Sequence, residues 1–415
     1  MMSAQRRPPF LAPFQVRGFR FQFPADLFTS WGTEMEVIVL GWFILVETES
    51  VLLLTLYGAL QYIGTLIAPV MGMASDRVGH RNVLTAMRAV YALVAIVLMA
   101  LAFSGALRPL YVLLLAAVSG LIRASDTGVR NALSAEILPP QLLMAGVGLS
   151  RITSDSARVA GALAGAALYA AIGMGPACLV FALFYTLGCL FTFSIGPSPS
   201  RASAAARPSP WADLTEGMVH VWHTPALLAG MWLAFLVNLT AWPWTLGLLP
   251  YVARTVLQVG QAGLGTMAAS FSTGAFLGSL LVSLVGRRIQ PARIMLVGAF
   301  AWHALLLLFT QMPTLATACA VLVVAGVAQS LSMVPLSVML LHIAGQRLRG
   351  RVMGVRMLAI YGLPMGLLLT GVLIPRIGFS STALLYCGGG LFATVWIGWH
   401  WRASLWPRAS AANSG

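Results

Sequence analysis

The sequence predicts an all-α membrane protein, with twelve transmembrane helices in two pseudo-symmetric six-helix bundles. Three observations predict it. The first is composition: of 415 residues, 59% are hydrophobic and only 9% charged, and the mean hydropathy is +0.86. A soluble domain carries about a quarter charged residues, so too few charges are present to coat a water-facing globule of this size. The second is a series of apolar runs, each near the roughly 20 residues that a helix needs to cross about 30 Å of hydrocarbon. The third is a near-repeat: Gly79 and Gly286 follow the second and eighth runs, and Gly146 and Gly354 open the fifth and eleventh. The two offsets are nearly equal and close to half the chain, as expected of two structurally similar halves.

The runs lie at about 22–46, 50–75, 83–104, 109–136, 142–171, 175–196, 224–253, 262–285, 294–311, 314–342, 352–375 and 381–402. A basic, proline-rich segment precedes the first run, and no small-residue cleavage site follows it, so a removed signal peptide is not expected. All basic side chains other than histidine are arginine. With the N-terminus in the cytoplasm, the inside segments hold Arg6, Arg7, Arg17, Arg20, Arg77, Arg81, Arg201, Arg207, Arg287, Arg288, Arg293, Arg347, Arg349, Arg351, Arg402 and Arg408. The outside segments hold only Arg108, Arg254 and Arg376, with Glu47 and Glu49. This one-sided bias is the positive-inside pattern. It predicts a multi-pass protein of the inner (cytoplasmic) membrane with both termini cytoplasmic. It also accounts for the net charge of +14 without nucleic acid as a partner. The stretch 197–210, PSPSRASAAARPSP, reads as a flexible linker, and Trp211–Trp222 as a short interfacial helix. The expected organisation is therefore an N-terminal bundle over 1–196, a cytoplasmic linker over 197–222 and a C-terminal bundle over 223–415. Cys178, Cys189, Cys319 and Cys387 lie in apolar runs without paired metal-site spacing, and the histidines are scattered. No metal and no cofactor are expected.

The loop after the second run reads Gly72-Met73-Ala74-Ser75-Asp76-Arg77-Val78-Gly79-His80-Arg81. Gly79 permits a tight turn, the arginines hold the loop in the cytoplasm, and Asp76 suits a helix end. This loop resembles the signature G-x-x-x-D-R/K-x-G-x-R/K of the major facilitator superfamily. Further similarities run along nearly the whole chain: Ser30, Gly32, Thr33, Gly41 and Trp42 in the first run; Glu216, Gly217 and Thr224-Pro225-Ala226-Leu227 at the start of the second half; Arg349 to Gly354, then Gly362, Pro364, Gly366 and Gly371, in the eleventh run. Together they are similar to the twelve-helix drug- and siderophore-exporter branch. Two departures stand out: Gly161-Ala162-Leu163-Ala164-Gly165 lacks the antiporter proline, and Ser283 occupies the acidic position of the second loop.

The resemblance implies the major facilitator fold and secondary active transport by alternating access. On it, the chain is expected to export an amphipathic small molecule, drug-like or siderophore, coupled to protons, as a monomer in the lipid bilayer. Uptake or uniport on the same fold, or a non-transporting membrane sensor or scaffold, are the alternatives. An enzyme is not expected, because neither a phosphate-cradling Gly-Lys-Ser loop nor a metal or nucleophile constellation is present. The resemblance also implies a latch of Asp76 and Arg81 with Glu136 at the end of the fourth run.

From Gly217 to Gly415 there is no Asp or Glu, so any carboxylate that exchanges protons lies in the first half. Arg123, Asp126 and Arg130 share one helix stripe, as do Arg151, Asp155 and Arg158, and each aspartate is spaced to reach both of its arginines. Glu34, next but one to Glu36, lies at similar depth. Ions there cost about 2.5–3.5 kcal/mol on insertion scales and find partners or a wet cavity. The two readings are a static ion-pair network and a proton-exchanging or substrate-binding one. In the second half, Asn238, Trp242, Trp244, Gln329, Met333, Arg356 and Tyr361 are the candidate substrate-lining residues, and Pro243 is expected to break the seventh span.

Overall fold

The chain is described from a computed structural model, over residues 9–196, 210–285 and 290–406. The extreme N-terminus, most of the linker, and Gly286 with Arg287 and Arg288 lie outside the described residues. Apolar runs become helices because only a helix satisfies every backbone N–H and C=O within one segment in lipid.

In chain order the helices are α1 (Arg17–Thr48), α2 (Val51–Leu60), α3 (Ala68–Val78), α4 (His80–Phe103), α5 (Pro109–Ile137), α6 (Pro140–Ser156), α7 (Ala162–Ile172), α8 (Met174–Phe193), α9 (Pro210–His223) and α10 (Pro225–Thr240). There follow α11 (Trp242–Leu246), α12 (Leu249–Tyr251), α13 (Gln261–Val285), α14 (Pro291–Phe309), α15 (Leu315–Ile343), α16 (Gly345–Leu358), α17 (Gly362–Ile377), α18 (Phe379–Ala383), α19 (Gly389–His400) and α20 (Arg402–Leu405). Among the described residues, nine helices are long and apolar enough to span, or ten if Leu214–His223 and Pro225–Thr240, bent by 109°, count together. Each of the twelve apolar runs is helical, but several are not single rods. The second is split by the 3-10 turn Ile63–Leu66. The fifth carries a π-helical turn at Ala157–Gly161, and the seventh breaks between α10 and α11 where Pro243 enters the first turn of the new helix. Many large apolar side chains are exposed, among them Leu93, Leu284, Phe392 and Trp399. A soluble monomer rarely presents such an apolar surface; lipid covers it here.

The described residues group into two compact units, one of 9–50, 60–196 and 259–269, the other of 51–59, 210–258, 270–285 and 290–406. In the first unit α1 runs close to α7 and α8. A Cβ at Gly165 would sit 2.8 Å from the Met35 Cα, and one at Gly188 would overlap the Thr29 hydroxyl. Small residues at helix contacts are how membrane helices gain packing without a hydrophobic driving force between them. In the second unit α14 meets α15 through Gly298, whose Cβ would reach the Ser332 backbone N at 2.6 Å, and Gly362 backs onto α10. Trp244 and Trp302 are its largest fully buried side chains.

Candidate functional site

Two buried ion pairs of the first unit meet one face of α1. Asp26, Thr29, Thr33 and Glu36 recur at helical spacing and share a stripe. At one end of the stripe, Asp26 is ion-paired with Arg88 of α4, both about 1% exposed. The same guanidinium donates to Thr192 of α8. About 15 Å along the axis, from ten residues at 1.5 Å each, Glu36 is also buried. It accepts from the Tyr185 hydroxyl of α8 and lies 3.4 Å from Arg123 of α5. Tyr185 is in turn 3.2 Å from the Thr33 hydroxyl. One turn before Asp26, Gln22 donates to the Arg130 carbonyl at 3.1 Å and to Ser134 at 2.7 Å.

The expected triplet on α5 does not form. Arg123 turns to Glu36, and Arg130 reaches Ser154 of α6 at 3.5 Å. Among the described residues Asp126 makes no ion pair, and its Oδ1 is buried without a hydrogen-bond partner. The reason is desolvation: Glu36 is 2% exposed, a carboxylate buried that deeply is costly without a cation, and it takes Arg123 from the half-buried Asp126. Asp126 stays close enough to Asp26 and Tyr91 to act on them electrostatically. The second triplet is assembled as expected, with Asp155 3.2 Å from Arg151 and 4.0 Å from Arg158. Glu34 points away from Glu36. It backs onto Gly161 of the π-helical turn, within electrostatic reach of Arg158 and Arg123.

Asp26 and Arg88 escaped the sequence reading. The available signal was that each is a lone ion within an apolar run, and such an ion in lipid demands a partner.

At the loop signature, Gly79 has φ +96°, which an L side chain rarely adopts, so glycine is required there. The expected Asp76–Arg81–Glu136 latch is corrected in its central residue. His80, not Arg81, stands between the acids, 3.3 Å from each. Arg81 donates to the Phe193 carbonyl at 2.6 Å and lies over the Phe193 ring, where a cation at the C-terminus of α8 is favoured. Arg77 and Gly72 lie on α3, and a Cβ at Gly72 would meet nothing within 4 Å.

In the second unit the broken seventh run separates its two tryptophans. Trp242 packs edge-on to Trp302 at 5.1 Å and lies 6.2 Å from Phe271. Trp244 is fully buried against Phe379 and Tyr386, so its expected role in lining a cavity gives way to packing. Asn238 donates back to Ala234 of its own helix at 2.8 Å. Gln329 accepts weakly from Ser330 at 3.5 Å. Met333 and Tyr361 are half-buried, and Arg356 donates to Ser337 of α15 at 2.6 Å. His303 was read only as one of several scattered histidines; it is buried, 2.8 Å from the Thr240 hydroxyl.

The family model described as transmembrane secretion effector matches residues 9–414. A search of curated protein sequences gives no significant match. Among solved structures, the nucleoside transporter NupG is similar with a TM-score of 0.66 at 14% identity, over 94% of this chain and 99% of that one. A bacterial homolog of the human lysosomal transporter Spinster, inward-facing and unoccupied, gives 0.68 at 15%, over 94% and 96%. A POT family transporter in complex with a thioalcohol-conjugated peptide gives 0.72 at 11%, over 94% and 96%. At these identities the likeness shows the fold alone, the major facilitator fold. The family match extends over nearly the whole chain, and with the fold it places this protein: it belongs to the transmembrane secretion effector family of major facilitator transporters.

Proposed function

We propose that the protein is a proton-coupled secondary transporter that exports an amphipathic small molecule from the cytoplasm by alternating access. The observation that carries the reading is the buried Glu36–Arg123–Tyr185 cluster beside the unpartnered Asp126 oxygen. These are embedded carboxylates in a chain whose second half has none. While Glu36 is ionised it holds Arg123. A proton on Glu36 removes that attraction and leaves Arg123 to exchange partners, with Asp126 one turn along the same helix. That exchange ties protonation to a rearrangement of α1 against α5, the differential interaction that any coupled conformational change needs. The description of the family as a secretion effector supports export, and the one-sided arginine distribution supports cytoplasmic termini. The aromatic and thioether side chains of the second unit, Trp242 and Met333 among them, suit an apolar, polarizable cargo.

The test is efflux from proteoliposomes loaded with a fluorescent amphipathic dye, with and without an imposed pH gradient. Wild type is compared with Glu34→Gln, Glu36→Gln, Asp126→Asn and Asp155→Asn. Glu36→Gln and Asp126→Asn are expected to lose the response to the gradient while retaining dye exchange. If all four keep gradient-driven efflux, proton coupling through these carboxylates is wrong; if the gradient drives only uptake, export is.

A further inference from the structure

We infer that Arg356 and Ser337 form an anion-binding site that takes the acidic headgroup of the cargo, so that the preferred substrates are amphipathic acids. The inference rests on the transporter reading above and names the substrate class.

Arg356 lies on the protein-facing side of α16. Val352, one turn before it, is 0% exposed, and Ala359, one turn after, is 7% exposed, whereas the adjacent Met357 is 44% exposed. Its side chain is therefore directed into the bundle and away from lipid. One guanidinium nitrogen, Nη1, donates to the Ser337 hydroxyl at 2.6 Å. That hydroxyl spends its own proton on the Met333 carbonyl at 2.8 Å, so it acts toward Arg356 only as an acceptor. A guanidinium has five N–H donors. Among the described residues Arg356 makes no second hydrogen bond and no ion pair. Four donors are left over, held in a planar fork.

No carboxylate of its own half can answer them, because none exists beyond Glu216. Glu216 itself is engaged by Arg351 at 2.5 Å and by Arg347 at 3.4 Å. In the first unit Arg88 has Asp26, Arg123 has Glu36, and Arg151 and Arg158 have Asp155; Arg130, bonded to Ser154, still lies within electrostatic reach of Asp26. An embedded cation normally acquires a partner. Arg356 is tethered at one corner and open at the rest, in a stretch, 217–415, that holds no Asp or Glu, and the missing partner is supplied from outside the chain. Its chemistry follows from the fork: parallel N–H groups match the two oxygens of a carboxylate, sulfonate or phosphate. Met333, one turn from Ser337 on α15, places polarizable apolar surface beside the charge, which fits an acid on a hydrophobic body.

The test is equilibrium binding to the purified full-length protein in an uncharged detergent, followed by fluorescence. The two probes share a dansyl-alkyl body and end in a carboxylate or in an ammonium group. Wild type is expected to bind the acid about tenfold or more tightly than the amine, the scale of one charge-assisted pair. Arg356→Gln is expected to abolish that preference by weakening the acid alone. Arg356→Lys keeps the charge without the fork, and should retain the sign of the preference with a reduced ratio. Equal affinities in wild type, or an equal loss of both probes in Arg356→Gln, would overturn the proposal and leave Arg356 as a tether between α15 and α16. If Arg356→Gln does not fold, the wild-type ratio and Arg356→Lys decide. Failure of the transporter reading shows separately, as absent gradient-driven flux from a protein whose binding still discriminates charge.

Discussion

The buried pair of Asp26 and Arg88 separates a static staple from a proton carrier. Both groups are about 1% exposed, the Asp26 Oδ2 has no hydrogen-bond partner, and Arg88 also holds Thr192. Arg88→Met would leave a buried carboxylate without its cation and the threonine without its donor. Breaking a buried pair on one side costs about 3–5 kcal/mol, whereas replacing both partners by apolar residues of similar volume is often neutral or stabilising. The single variants Arg88→Met and Asp26→Leu are therefore each expected to lose about 3–5 kcal/mol, and the double variant to regain most of it. At roughly 2 °C per kcal/mol for a large chain, each single falls by about 6–10 °C. The natural reporter is the buried thiols Cys178 and Cys387, which react with a fluorogenic maleimide once the detergent-solubilised protein unfolds. A double variant no more stable than the singles would refute the reasoning, since it would show that the sites contribute separately. If Asp26→Asn instead left stability untouched and removed only the response to a pH gradient, Asp26 would be the proton carrier and the pair no staple.

Three further outcomes are expected. Tyr185→Phe removes the hydroxyl that donates to Glu36 and should slow gradient-driven flux about fivefold to tenfold, from about 1–1.5 kcal/mol for one hydrogen bond; Glu36→Gln should slow it more, both read as initial rates in proteoliposomes. Gly79→Val forces a β-branched residue to φ +96° and should cost about 1–3 kcal/mol. Gly72→Ala, where a Cβ meets nothing, should stay within about 0.5 kcal/mol, so equal thermal shifts in these two glycines would contradict the turn geometry. His80→Gln should change stability by about 1 kcal/mol, the upper end for partly exposed ion pairs, since His80 and Glu136 are 20% and 21% exposed and Asp76 is 47% exposed. A double-mutant cycle of His80→Gln with Glu136→Gln should show a coupling of a few tenths of a kcal/mol, about the scale of such pairs, and strict additivity would remove His80 from the bridge.

The fold was legible because solvent is written into composition. Run length, the scarcity of charge and the placement of arginine each report what surrounds a segment, and none depends on which helix meets which. The breaks were legible only where proline marks them: Pro243 announced the interruption of the seventh run, while the 3-10 turn at Ile63–Leu66 and the π-helical turn at Ala157–Gly161 carry no such mark. The site was legible in residue type more than in pairing. Spacing along one helix identifies neighbours on that helix, and it brought Asp155 to its arginines. It failed for Arg123 and Arg130, whose partners come from α1 and α6.

Neighbouring positions also diverge for a reason that sequence spacing contains but does not resolve. Two residues on a helix differ by about 200°. Trp244 is therefore sealed in the core of the second unit while Trp242 faces another way, against Trp302 and Phe271. Glu34 and Glu36 part in the same manner, one toward the π-helical turn and the other toward Tyr185 and Arg123. Which of two such residues meets the interior depends on the phase of the whole helix. For α1 that phase can be read from its polar residues: Asp26, Thr29, Thr33 and Glu36 keep a 3.6-residue period across ten positions, and Glu34 lies off it. A carboxylate in phase with that stripe is bound to the bundle, and one out of phase remains available to its surroundings. Glu34→Gln should therefore leave the thermal stability nearly unchanged, whereas Glu36→Gln should lower it along with coupling. The reverse ranking in the thiol-reactivity melt would show that the stripe does not set which acid the first unit depends on.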